Sequence, residues 1–237
     1  TLSLVVCLYE DVTALDFQGP LQLIGMLQEK NIQNTSLPFP SPPTHAVKIT
    51  YAGDSTAVTP DAGPTFAVEK KNTYEELLGS GEQFDMILVP GGHHDVLSQA
   101  SPKVSFSEND PIARFIRQQS SGAKYILSVC TGAWRLAEAG VLKGKRATSN
   151  KATWPGVFLQ NPVDPSIEWV KKARWVVNGQ NSGQELWTSS GVTAGMDMAN
   201  AFLAHLVGRP ISERIRNVVE LNASGPEDDP FAEYWGI

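Results

Sequence analysis

The chain has 237 residues, which is room for one generous domain or at most two small ones. With 41% hydrophobic and 19% charged residues it has the composition of a globular protein whose core needs no disulfide staples. A net charge of −6 argues against nucleic acid or an anionic membrane as partner, and no apolar run approaches the ~20 residues of a membrane-spanning helix.

The first segment, Leu2–Tyr9, is a continuous apolar run and reads as a strand buried on both faces. It lacks a basic leader region, so it reads as a strand rather than a signal peptide. Cys7 lies within it and reads as a small buried hydrophobe. With Cys130 as the only other cysteine there is no disulfide framework, which implies a reducing, cytoplasmic setting. Phe17–Lys30 carries Phe17, Leu21, Ile24 and Leu27 at helical spacing. Asp16 precedes that helix on the edge where the first strand ends. It reads either as a proton carrier for a nearby thiol or as a helix N-cap.

Residues 31–44 hold four prolines without any period and read as a surface loop. Ala46–Tyr51 reads as a strand, Asn72–Leu78 as a short helix and Phe84–Val89 as another buried strand. Pro90-Gly91-Gly92 closes that strand. Its glycines allow close backbone approach, and free N–H groups there suit a developing negative charge. A turn that only needs glycine is the plainer alternative. His93 and His94 follow and are candidates to line a site, although adjacent loop histidines are more often solvated.

Pro111–Ser120 reads as a helix and Tyr125–Cys130 as a strand that runs directly into the helix Thr131–Ala139, stopped by Gly140. A strand turning straight into a helix puts Cys130 on an elbow at the carboxyl edge of a sheet, where open α/β proteins place ligands. The adjoining helix N-terminus is expected to favour thiolate. Cys130 therefore reads as a nucleophile, against the alternative of an inert core cysteine. Arg174–Asn178 and Glu185–Ser190 read as a hairpin. Ala194–Val207 and Ile211–Leu221 read as helices, and Gly225–Pro230 as an acidic, turn-rich tail.

Strands alternating with helices imply an α/β fold: an open, mostly parallel sheet with helices on both faces, a flavodoxin-like three-layer sandwich with a small antiparallel hairpin appended. There is no internal repeat and no linker, so a single domain over 1–237 is expected. No CxxC or HxxxH spacing suggests a metal, and no GxGxxG or GxxxxGKS pattern suggests a nucleotide, so no cofactor is expected.

The segments Leu15–Pro20 (LDFQGP), Val89–Gly92 (VPGG), Ser128–Gly132 (SVCTG), Leu136–Thr148 (LAEAGVLKGKRAT) and Trp187–Gly195 (WTSSGVTAG) together resemble the ThiJ/PfpI superfamily, whose fold is similar to class I glutamine amidotransferases. Within it the chain is most similar to isonitrile hydratase-like members and to the amidotransferase-like domains of some AraC-type regulators. Asp16 stands where many relatives carry glutamate. Thr131 stands where protease- and glyoxalase-like members often have histidine, and Asn150 where many have a histidine partner for the cysteine.

The resemblance implies catalytic Cys130, Asp16 and Thr131. It implies backbone donors at Gly92 and Thr131, and contacts to a small-molecule substrate from Gly91, His93 and Asn150. The activity it implies is hydration of an isocyanide to an N-substituted formamide by a homodimer. Action on another small electrophile, or a cysteine redox sensor, are the alternatives.

Overall fold

The computed structural model describes residues 1–34, 38–92, 110–154, 164–179 and 183–237. Its elements, in chain order, begin with β1 (Leu2–Leu8), α1 (Ala14–Ile24), α2 (Glu29–Ile32), β2 (Val47–Gly53), β3 (Ala57–Val58) and β4 (Phe66–Ala67). Next come α3 (Tyr74–Ser80), β5 (Met86–Val89), α4 (Pro111–Ser120), β6 (Tyr125–Ser128) and α5 (Gly132–Glu138). The chain continues with β7 (Arg146–Ala147), β8 (Glu168–Trp169), β9 (Trp175–Asn178) and β10 (Glu185–Ser189). It closes with α6 (Ala194–Val207), α7 (Arg209–Val218) and α8 (Phe231–Tyr234).

Six strands form the main sheet in the order β2-β1-β5-β6-β10-β9. Every neighbouring pair is parallel except β10 with β9. The apolar runs explain this. Every residue of β5 is buried, as is every residue of β1 except Ser3, so both faces need cover. One layer packs α1 on α6 and α6 on α7, and α3, α4 and α5 pack in sequence on one another. The sheet is thus open and mostly parallel with flanking helices, as its alternating pattern predicts. Among the described residues, no helix is long and apolar enough to cross a membrane.

Three details depart from expectation. The hairpin is not an appendage: β10 pairs in parallel with β6, so the hairpin completes the main sheet and β9 forms its antiparallel edge. The helix expected over Phe17–Lys30 begins at Ala14 and ends at Ile24, followed by a 3₁₀ turn and short α2. Its apolar period starts only at Phe17, because the buried residue ahead of it in the first turn is the polar Asp16. Thr13, not Asp16, is the residue before the helix. The tail also forms a short helix, α8, that periodicity does not announce.

Candidate active site

The carboxyl ends of β1, β5, β6 and β10 converge on Cys130. Its φ of 59° lies in the left-handed region, which a non-glycine residue adopts only when its surroundings impose it. Here the surroundings do. The Cys130 N–H donates to the Ser190 carbonyl at 2.9 Å, and the Ser149 hydroxyl donates to the Cys130 carbonyl at 2.9 Å. Gly132 then starts α5 so close to β5 that an added Cβ would lie 2.1 Å from the Val89 carbonyl oxygen. A tight elbow forms between strand and helix, like the one that presents the serine of α/β-hydrolases.

The elbow does not expose the cysteine. Cys130 is 6% exposed, and three donors surround its sulfur. Asn150 Nδ2 donates at 3.1 Å, and the backbone N–H groups of Thr131 and Val192 complete the set. Burial nevertheless pushes the thiol up to about 12, and the charge of Asp16 adds to the rise against the pull of those donors. Burial thus works against the thiolate preference expected from the adjoining helix N-terminus. That expectation weighed the helix terminus and could not weigh desolvation.

Asp16 is fully buried in the first turn of α1. Its Oδ2 accepts from the Gly91 N–H at 2.9 Å, and the Cys130 thiol interacts with the carboxyl. Among the described residues, no N–H or O–H donates to its buried Oδ1. Burial pushes the carboxyl up to about 7. The Gly91 N–H and the thiol pull it down, and Asp61 raises it further. The N-cap alternative thus falls, because the Asp16 side chain points across the sheet edge rather than back onto its own helix.

The Pro90–Gly92 turn is built against this pair. The Tyr9 hydroxyl donates to the Pro90 carbonyl at 2.9 Å. A Cβ on Gly91 would lie 2.6 Å from Thr131 Oγ1 and 2.8 Å from Asp16 Oδ2, so the close approach requires glycine. The Gly92 N–H donates to Thr131 Oγ1 at 3.1 Å. This corrects two assignments. The Gly92 N–H is engaged by a side chain instead of facing a ligand, and the Gly91 N–H holds Asp16 instead of a substrate. The Thr131 hydroxyl accepts from the Gly92 N–H, and the Thr131 N–H reaches the sulfur.

Val192 went unrecognised in the sequence. Its one signal is Gly191-Val192 directly after a buried strand, the same strand-to-helix logic as at Cys130. Of the four histidines, His205 pairs with Glu185 at 3.2 Å and His45 contacts Thr44 at 3.0 Å. His93 and His94 lie outside the described residues. Asn150 occupies the position at the sulfur that a histidine base would need. A cleft of ≈ 190 Å³ lies against Asn150 and Val192, walled by Arg174 and Thr193 and rimmed by Phe231 and Trp235.

An open, mostly parallel sheet with a strained cysteine on a strand-to-helix elbow and a carboxyl opposite it defines an α/β protein of the cysteine-elbow type. A model of the DJ-1/PfpI family matches residues 42–205, more than half of the chain, and the chain belongs to that family. It is 28% identical over 227 residues to isonitrile hydratase of Pseudomonas putida, covering 96% of this chain and 82% of the relative. It is 30% identical over 131 residues to a deglycase of Pyrococcus horikoshii, covering 55% of this chain and 66% of that protein. A ThiJ/PfpI family protein from Pseudomonas syringae superposes with a TM-score of 0.66 at 24% identity, over 96% of this chain and 78% of that one.

Proposed function

We propose that this chain is a cysteine-dependent enzyme of the isonitrile hydratase type, adding water to an isocyanide to give an N-substituted formamide. The observation that carries the reading is the buried Asp16 carboxyl, pushed to about 7 beside the Cys130 thiol, with the Asn150 amide donating to the same sulfur. The similarity to isonitrile hydratase along 96% of the chain supports it.

The chemistry suits that pair. The terminal carbon of an isocyanide must gain both a nucleophile and a proton, and no leaving group has to be expelled in that step. With the thiol up near 12 and the carboxyl near 7, the resting site keeps the proton on sulfur and Asp16 partly ionised. As sulfur bonds to the isocyanide carbon, its proton passes to Asp16 and on to the same carbon, giving a thioimidate. Water then adds to the thioimidate carbon, with Asp16 moving one proton to nitrogen. Collapse expels the Cys130 thiolate, which regains its proton, and the formamide leaves. Asn150 Nδ2 and the N–H groups of Thr131 and Val192 stabilise the sulfur whenever it carries charge.

The test is turnover of a panel of alkyl and aryl isocyanides, followed by formamide release. Wild type should turn over at least one, and Cys130→Ala none. A wild-type chain inert across the panel rules the activity out.

A second reading, favoured by the similarity to a deglycase, keeps the covalent thiol and changes the electrophile to an α-oxoaldehyde. Consumption of methylglyoxal with release of lactate would select it. Asn150 in place of a histidine base argues against it.

A further inference from the structure

Beside Asn150, whose amide donates to the thiol sulfur, lies a buried cation that the proposed chemistry does not use. Lys151 is 2% exposed, yet its ammonium sits among five oxygens. Nζ reaches Thr148 Oγ1 at 2.8 Å, the Ala173 carbonyl at 2.9 Å, Asp229 Oδ2 at 3.0 Å, Ser190 Oγ at 3.1 Å and the Ser149 carbonyl at 3.2 Å. It also lies 5.4 Å over the Trp154 ring. Desolvating an ammonium is costly, and an apolar side chain of the same length would fill the space without that cost. What the cation supplies is cross-linking.

The groups it cross-links form both walls of the thiol site. On one wall, Ser149 donates to the Cys130 carbonyl and Asn150 donates to the sulfur. On the other, the Ser190 carbonyl accepts the Cys130 N–H, and Val192 follows two residues on. Lys151 grips Thr148 and Ser149 on the first wall and Ser190 on the second. The Asn150 amide is fixed in turn, because its Oδ1 accepts from the Ala152 N–H at 2.8 Å, leaving Nδ2 for the sulfur.

Asp229 comes from the far end of the chain and is 3% exposed. The tail that carries it is pinned independently. The Arg174 N–H donates to the Pro226 carbonyl at 2.7 Å, the Ser224 N–H donates to Asp197 Oδ1 at 3.0 Å, and Arg174 pairs with Asp197 at 2.6 Å.

We propose that the buried Lys151–Asp229 pair is the positioning element of the thiol site: it clamps the 148–150 loop to the 190–192 loop, keeps the Asn150 and Val192 donors on the Cys130 sulfur, and makes the C-terminal tail part of the site. Neither residue touches the reacting atoms. The inference rests on Cys130 being the reactive thiol and is independent of which electrophile it attacks.

The experiment is alkylation of Cys130 by iodoacetamide at pH 8, followed by peptide mass, in folded Lys151→Met, Asp229→Ala and Asn150→Ala. Positioning predicts that Lys151→Met and Asp229→Ala each slow Cys130 about tenfold, the size of a one-unit rise in thiol pKa. Either change combined with Asn150→Ala should add little to Asn150→Ala alone, because both act through the same donor. Asp229→Asn, which keeps an oxygen for Nζ, should recover most of the wild-type rate.

The sign at Asp229 separates this role from a simple field effect. Removing a negative charge with the loops unmoved would speed alkylation. Folded Asp229→Ala that reacts at the wild-type rate or faster overturns the proposal. Should Asp229→Ala not fold, Lys151→Met against Asn150→Ala decides: additive losses overturn the clamp, and non-additive losses support it. Wild type that leaves Cys130 unalkylated even at pH 10 overturns the reactive-thiol reading itself, whereas a reactive wild type with indifferent variants overturns only the clamp.

Discussion

The Asp16 carboxyl faces the Cys130 thiol across the carboxyl edge of the sheet, and its charge raises the thiol beyond what burial alone would do. The pair is therefore a proton store shared between an acid and a nucleophile, not a preformed thiolate. The distinction can be measured. Asp16→Asn keeps an oxygen for the Gly91 N–H and removes the charge. The thiol pKa should fall, and iodoacetamide should alkylate Cys130 several-fold faster at pH 8. Isocyanide turnover should drop by about 10²-fold or more, because the proton carrier is gone. Alkylation that is unchanged or slower would show that the two groups are not coupled.

The same carboxyl makes stability depend on pH. Its pKa rises from the ordinary 3.8 to about 7 on folding, mainly through burial. The folded state therefore holds its proton more tightly than the unfolded chain. That contribution is fully present below pH 4 and is lost as pH rises through 7. A shift of that size corresponds to at most about 4 kcal/mol. Asp54 and Glu138, raised by burial to about 6 and about 8, act in the same direction. Comparing Asp16→Asn with wild type isolates Asp16 from them. The variant's Tm should exceed that of wild type by several degrees more at pH 8 than at pH 5. Parallel melting curves at the two pH values would refute the buried ionised carboxyl.

Much of this site was legible because its geometry is local. A buried strand that runs into a helix, with a cysteine at the join and glycine two residues later, specifies the elbow by itself. The Pro90-Gly91-Gly92 turn was legible for the same reason. What stayed hidden depends on contacts distant in sequence. The Gly91 and Gly92 N–H groups are spent on Asp16 and Thr131, which approach from two other elements. The Val192 N–H arrives from beyond β10, and Asp229 reaches Lys151 from the tail. Periodicity reports which face of an element is buried but not which donor meets which acceptor. The thiol's raised pKa was hidden likewise, because a sequence shows the helix terminus beside a cysteine and not the degree of burial above it.

Two glycines packed around the site should fail in different ways. A Cβ on Gly132 would lie 2.1 Å from the Val89 carbonyl oxygen and 2.9 Å from Pro90 backbone atoms. Backbone in a central strand cannot move aside, so Gly132→Ala should cost about 3 kcal/mol or more and show a large drop in urea midpoint. A Cβ on Gly91 meets Thr131 Oγ1 and Asp16 Oδ2, side-chain atoms able to rotate, although it also lies 2.7 Å from the Thr131 nitrogen. Gly91→Ala should fold with a smaller loss and yet displace Asp16 from the thiol, removing turnover. Equal destabilisation by the two changes would contradict this division.

Asn150 is the residue where a single-atom change tests the sulfur's surroundings most directly. Its Nδ2 lies 3.1 Å from Sγ, while its Oδ1 caps the 3₁₀ turn through the Ala152 N–H at 2.8 Å. Asn150→Asp keeps that cap and the side-chain shape, so the melting temperature should hardly move. At the sulfur it replaces a donor with a second carboxylate oxygen. Asp16 already raises the thiol, and a second negative charge must raise it further. Alkylation at pH 8 should therefore fall at least tenfold, and by more than in Asn150→Ala, which removes the donor without adding charge. The ordering matters more than the size. If Asn150→Ala slowed the thiol as much as Asn150→Asp, the loss would come from loop disorder, and the hydrogen bond to sulfur would not be what tunes Cys130.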